Sequence, residues 1–237
     1  MSWRAKAVAL SAGLVLSGSL LGPAAQAAAP GQVAAPAQLT GTHLHAALLP
    51  ASYFPSGYKV EKIENYSSGS KLEHKPAKYH LATFSCQKWL VSGFPETGFG
   101  ETATAADIIS RPGTKARPGA QAYGQTVFQF ATSGQASAFY RQMYAFTQRC
   151  RTVSASFHGK VGLTTTFIKK THVGRYQAFR ARQTETATGF HATLNDTTTV
   201  LAGTDVYQLD AAGWTVPAKP AGPAALGHLI AQVQAAR

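Results

Sequence analysis

The stretch SGQASAFYRQMYAFTQRC, residues 133–150, decides how the rest of the chain is read. Ala136, Phe139, Met143, Phe146 and Cys150 recur at three- and four-residue steps, which places them on one face of a helix. Ser133 reads as its N-cap, and Arg149 and Arg151 suit the negative end of the helix. A helix with one apolar stripe needs a surface to lie on, and the flanking sequence supplies strands. Tyr123 to Ala131 precedes it, rich in aromatic and β-branched residues, after a Pro/Gly-rich loop from Arg111 to Gly119. Leu163 to Lys169 and Arg175 to Glu185 follow, the second alternating Phe179 and Ala181 with Arg180 and Arg182. Asp196 to Ala202 and Asp205 to Asp210 are separated by Gly203-Thr204, a two-residue hairpin turn.

Further out the pattern repeats more weakly. Pro223 to about Gln234 reads as a terminal helix, with Pro223 in the first turn and Leu226, Leu229, Ile230 and Val233 facing inward. A short helix spans Thr42 to Leu49 and stops at Pro50, Tyr58 to Tyr66 reads as a strand, and a short helical turn carries Cys86, Trp89 and Leu90. This order predicts an α+β fold: a mostly antiparallel twisted sheet flanked by helices, with one disulfide. No internal repeat or linker divides it, so a single domain is expected over residues 39–237.

The first 27 residues have the three parts of a secretory signal peptide. Arg4 and Lys6 precede an apolar stretch from Ala7 to Leu21, and Ala25-Gln26-Ala27 is an A-x-A cleavage site. Residues 28–38, rich in Ala, Pro and Gly, read as a flexible linker. The expectation is a secreted, extracellular mature chain without a stable membrane anchor, since no cysteine near the cleavage point offers a lipid attachment. In an oxidising compartment Cys86 and Cys150 are expected to pair. A closed loop of roughly 65 residues adds about 4 kcal/mol in the chain-entropy account. The alternatives are a reactive thiol or a metal ligand, though neither cysteine has C-x-x-C or C-x-x-H spacing.

Composition bounds the function. The chain has 237 residues, 45% hydrophobic and 10% aromatic, which excludes a disordered polymer. Its formal charge is +12, and the location of that charge matters more than its size. No acidic residue lies between Asp107 and Glu185, a window that holds twelve of the 22 Lys and Arg. Within it, Lys169, Lys170, Arg180 and Arg182 fall on neighbouring strands if those strands pair through Thr171 to Gly174. They are then expected to form one basic face or the rim of a cleft. Nucleic acid is the poorer partner for such a face, because export removes most targets and no nucleic-acid-binding motif accompanies it. An anionic wall polymer, an anionic lipid or an acidic small ligand fits the compartment better.

Catalytic patterns are weak. No H-E-x-x-H occurs, and no G-x-S-x-G occurs in the mature chain. His43 and His45 read as exposed polar residues at a helix start. Ser68-Gly69-Ser70-Lys71 matches S-x-x-K but lies in a Ser/Gly turn without partner motifs. Glu96 and Glu101 are set among glycines, and Trp89 and Trp214 read as packing residues. The expectation is a protein that is not an enzyme, with no catalytic residue, metal ligand or cofactor assigned.

Several short motifs resemble the PknH-like extracellular sensor-domain family of actinobacteria. They are His45-Ala46-Ala47-Leu48-Leu49-Pro50 followed by Phe54-Pro55-Ser56-Gly57-Tyr58; Cys86 ahead of Gly98-Phe99-Gly100-Glu101; Ala122-Tyr123-Gly124-Gln125; and Gln148-Arg149-Cys150. The resemblance spans roughly Leu39 to Gln234. It implies an antiparallel sheet whose flanking helices form a cleft, a ligand-sensing role and no catalysis. Members often have a second disulfide, which this chain lacks. With no kinase domain here, the resemblance implies a free secreted binding module or one that works with a partner. The reading is a secreted, non-catalytic ligand-binding domain for an anionic or amphipathic envelope ligand. The alternatives are a secreted hydrolase with an unrecognised site, and a protein-binding or inhibitory module.

Overall fold

A computed structural model describes residues 37–60, 66–92, 97–111, 121–157, 160–187, 192–213 and 223–237. The expected signal peptide, nearly all of the linker, the 61–65 part of the expected Tyr58–Tyr66 strand and the 112–119 part of the expected loop lie outside the described residues, as do Glu96 and Trp214. All described residues belong to one unit, Pro36–Arg237.

In chain order the elements are α1 (Gly41–Ala46), a 3-10 turn (Ala51–Tyr53), β1 (Lys59–Val60), β2 (Tyr66–Ser67), α2 (Cys86–Ser92), β3 (Ala103–Arg111) and β4 (Gln121–Gln129). Then come α3 (Ser133–Arg149), β5 (Thr152–Phe157), β6 (Lys160–Val173), β7 (Tyr176–Ala187), β8 (Thr193–Ala202), β9 (Asp205–Gly213) and α4 (Pro223–Ala235). The strands make one antiparallel sheet in the order β1-β3-β4-β9-β8-β7-β6-β5, with β2 also paired to β3. The expected α+β architecture is therefore present, and Gly203-Thr204 is the turn of the β8–β9 hairpin, with Gly203 at φ 65. A two-residue connection needs that positive φ, which glycine reaches without a Cβ clash.

Helices cover both faces of the sheet. On one face, Leu44 of α1 and Leu226, Leu229, Ile230 and Val233 of α4 pack over Tyr123, Val127, Tyr207 and Leu209 of β4 and β9. On the other, Phe139, Met143 and Phe146 of α3 pack on Phe128, Phe179 and Val206. Even- and odd-numbered residues of one strand thus enter different cores, as the two-residue period of a strand requires.

The long helix departs from expectation at its start. Thr132, not Ser133, is the N-cap: its hydroxyl accepts from the Gln135 amide at 3.2 Å, and the Gln135 side chain accepts from the Thr132 amide at 3.1 Å. This reciprocal capping box satisfies two amides that a serine one residue later would leave open. Its far end is tied down twice. Cys150 is bonded to Cys86, with Cα atoms 5.4 Å apart. The Arg149 guanidinium donates to the carbonyls of Leu81 (3.0 Å), Ala82 and Phe84 (2.6 Å), so this side chain holds the preceding turn instead of its own helix end.

Two strands escaped the sequence reading. β3 is Ala103–Arg111, whose Ala-rich first half carries little strand propensity, and β5 is the Ser-containing Thr152–Phe157. Both are held by pairing to a neighbouring strand. Two buried glutamines extend the sheet's hydrogen bonding sideways. Gln125 bonds both backbone groups of Leu49 (2.9 and 2.7 Å), and Gln129 bonds both of Leu39 (2.9 and 2.8 Å). The 39–49 segment is thereby fixed although it adds no strand of its own.

Candidate functional site

The α3 side of the sheet is not filled. The even-numbered residues of β4 and β9 at its centre are small or polar: Ala122, Gly124, Thr126, Gln208, Asp210 and Ala212. They oppose large residues on the other side of the same strands, namely Tyr123, Val127, Tyr207 and Leu209. Small side chains under α3 leave a cleft of about 450 Å³, walled by Phe128, Met143, Phe179 and the Trp89 ring of α2. Trp89 sits edge-on to Phe146 at 5.4 Å, so it is a packing residue, as expected, and also a wall of this cleft.

Asp107 and Asp210 both line the cleft; the Asp107 carboxylate bonds His45 of α1, and the Asp210 carboxylate lies on the cleft floor. Asp210 lies across the ladder from Gly124 on β4 and from Thr197 on β8. A Cβ on Gly124 would come 3.2 Å from an Asp210 oxygen, so the glycine makes room for the carboxylate. Enclosure by protein raises the Asp210 pKa to about 6; the Thr197 hydroxyl lowers it in part, and the neighbouring Asp196 charge adds to the rise. Beside it, Asn195 and Gln183 face each other across β7 and β8, and the buried Asn195 Oδ1 has no hydrogen-bond partner. The floor therefore presents a carboxylate and an amide oxygen, both acceptors, between apolar walls.

Among the lining residues there is no Lys or Arg. The expected basic rim is elsewhere. β6 and β7 do pair as a hairpin through Gly174, setting Lys169 opposite Arg180 and Phe167 opposite Arg182. These four line a separate shallow depression of about 220 Å³ on the α1/α4 side of the sheet. Lys170, one residue on, points to the α3 side and lies over the Tyr144 ring at 5.1 Å. The quartet is thus not one face, because adjacent strand residues cannot share one. It is also not free charge. Asp196, with its side chain 2% exposed, accepts from Arg180 and, at 3.2 and 3.3 Å, from Arg182. That bonding pushes the Arg180 guanidinium further above its usual range.

The remaining sequence candidates resolve into structural roles. Ser68 accepts from the Thr104 amide at 3.0 Å in an irregular segment, so the Ser-Gly-Ser-Lys run is a loop, as read. Glu101 is buried and accepts from the Gly98 and Phe99 amides, both at 2.7 Å, which ties a turn. His43 is exposed and bonds Thr40. His45 corrects its reading: its Nε2 lies 2.7 Å from Asp107 Oδ1, so it links α1 to β3. The second buried ion pair joins Arg237 to Asp205, whose carboxylate also accepts from Tyr207 at 2.8 Å. Burial still pushes the Asp205 pKa up, ahead of the opposing pull of Arg237. Among the described residues no group of His, Cys, Asp or Glu is arranged to hold a metal, and no helix is long and apolar enough to cross a membrane.

Periodicity and composition carry no signal that singles out Asp210 or Asn195, and Gly124 stands out only within the Ala122-Tyr123-Gly124-Gln125 motif, with no role attached. Asp210 alternates with Leu209 and Ala211 as an outward-facing strand residue does, and only the position of α3 turns that face into a cleft.

An open antiparallel sheet with helices on both faces and a half-polar cleft beneath the longest helix define the chain as an α+β domain. The chain is similar in structure to the extracellular domain of PknH from Mycobacterium tuberculosis, with a TM-score of 0.55 and 18% identity over 83% of this chain and 97% of that one. The two share a fold, as the sequence resemblance implied. A putative uncharacterised protein from Mycobacterium smegmatis aligns with a TM-score of 0.40 and 12% identity, over 77% of this chain and 92% of that one. No family model and no curated protein matches the sequence.

Proposed function

We propose that the chain is a secreted, non-catalytic, sensor-like domain that binds a small amphipathic ligand in the α3 cleft. The observation that carries this reading is the cleft floor. Asp210 and the unpartnered Asn195 Oδ1 are acceptors in a half-open cleft of about 450 Å³, within the size range of small-molecule sites. Burying an acceptor without a donor is unfavourable, and a ligand that brings donors relieves it. The ligand's apolar part would lie against Phe128, Met143, Phe179 and Trp89, and a donating or cationic end against Asp210 and Asn195. Of the expected anionic or amphipathic ligand, an anionic end suits this floor poorly, because no Lys or Arg is among the cleft's lining residues and Lys169, Arg180 and Arg182 lie across the sheet.

The test is mass spectrometry of small molecules retained by protein purified from its native culture, run in parallel on Asp210→Asn. The expected result is an amphipathic molecule with a donor or cationic group, held above pH 6 and reduced at least tenfold in the variant. A ligand retained equally by both proteins removes Asp210 from the site, and chemical conversion of the ligand refutes the non-catalytic reading.

A further inference from the structure

The outer face of the β6–β7 hairpin departs from an ordinary solvated strand pair at several positions. Lys169 and Arg180 are set directly opposite each other, a like-charge register that destabilises a sheet. Phe167 stands 66% exposed beside them, opposite Arg182, and Leu163 on the same face of β6 is 42% exposed. Arg151 borders the adjoining depression together with Phe167 and Arg182. Buried Asp196 fixes the Arg180 and Arg182 guanidiniums side by side without cancelling the face, since four cations meet one carboxylate. The arrangement is preorganised, and each local violation is one that an external anionic partner would remove.

From this we infer that the Leu163–Phe167–Lys169–Arg180–Arg182 face is a docking surface for an anionic lipid bilayer. Phe167 enters the headgroup region and the cations meet lipid phosphates. Charge complementarity sets the sign of the partner. The form of the apolar part sets its kind. Phe167 protrudes from a shallow depression, with no socket around it, as suits a deformable interface where aromatic rings settle at headgroup depth. Docking here leaves the α3 cleft on the opposite side of the sheet facing away from the membrane. The inference does not depend on what the cleft binds.

Co-sedimentation of the purified protein with phosphatidylcholine vesicles, with and without phosphatidylglycerol, tests it. Binding is expected only with the anionic lipid and should fall steeply with added salt. Lys169→Gln with Arg182→Gln should weaken it roughly tenfold or more, at about fivefold per cation. Phe167→Ala should weaken vesicle binding about threefold to tenfold, yet leave binding to soluble polyglutamate unchanged. Lys170→Gln removes one charge from the other face, the match for Lys169→Gln alone, and should change nothing; thermal unfolding confirms that each variant is folded. Absence of binding to anionic vesicles at low salt overturns the proposal. So does an equal loss in Lys170→Gln, which would mean net charge alone. Vesicle binding indifferent to Phe167→Ala, or an equal Phe167→Ala loss on polyglutamate, points to an acidic protein partner and also overturns it.

Discussion

The two faces of the central strands carry the same backbone and opposite fillings. On the α1/α4 side, Tyr123, Val127, Tyr207 and Leu209 meet Leu226 and Leu229 in a packed core. On the α3 side, the alternate residues Ala122, Gly124, Thr126 and Asp210 are too small or too polar to reach the helix, and a cleft remains. The difference shows that a cleft can be made by subtraction. One strand supplies both the stabilising core and the vacant floor, so the stability of the first supports the openness of the second. The stapled end of α3, held by Cys150 and Arg149, keeps the helix standing over a gap that would otherwise favour collapse.

That contrast can be broken by substitution. The largest effect is expected on the filled face: Leu229→Ala, at a fully buried position, should destabilise by about 2–5 kcal/mol in urea unfolding. A smaller effect of opposite sign is expected at the cleft floor. Folding raises the Asp210 pKa above its ordinary value, so the folded state holds this proton more tightly than the unfolded chain does. Its favourable contribution is full below about pH 4 and is lost as pH rises through about 6. Asp210→Asn should therefore stabilise the unliganded protein by about 1–3 kcal/mol at pH 7.5, and the gain should vanish near pH 4. A pH-independent difference would show that the carboxylate is not enclosed as described. The smallest effect is expected where bulk is added to open space. Ala181→Leu, on the cleft lining, should shift stability by less than about 1 kcal/mol while abolishing ligand retention. A penalty as large as overpacking a solid core would mean that no cleft is there.

Legibility followed the range of the interactions involved. The α3 stripe, the α4 stripe and the Gly203-Thr204 turn are written in residues a few positions apart, and the structure has them where the spacing placed them. The N-cap of α3 is Thr132 and not the expected Ser133, since both are good N-caps and only hydrogen-bond geometry chooses between them. β3 was invisible because Ala103, Ala105 and Ala106 have little strand preference, and its identity comes from pairing with β4. For the candidate site the outcome was divided. The basic segment is real, yet its side chains split between two faces and share a buried carboxylate from β8 that lies 14 and 16 residues away from the arginines. The cleft residues carried no signal, since a polar residue facing solvent and one facing a cavity alternate identically.

By itself, the sequence determined α3 and α4, the β6–β7 and β8–β9 hairpins, the expected pairing of Cys86 with Cys150 and the α+β class. Each follows from periodicities of two or 3.6 residues, or from there being only two cysteines to join. The tertiary structure alone decided which face of the sheet each helix covers. It therefore also decided that Asp210 is enclosed while Phe167 stands in solvent. The physical reason is that a strand's alternation separates its two faces without labelling them. The label is supplied by what packs against each face, and those partners, α3 over Asp210 and nothing over Phe167 among the described residues, are remote in sequence.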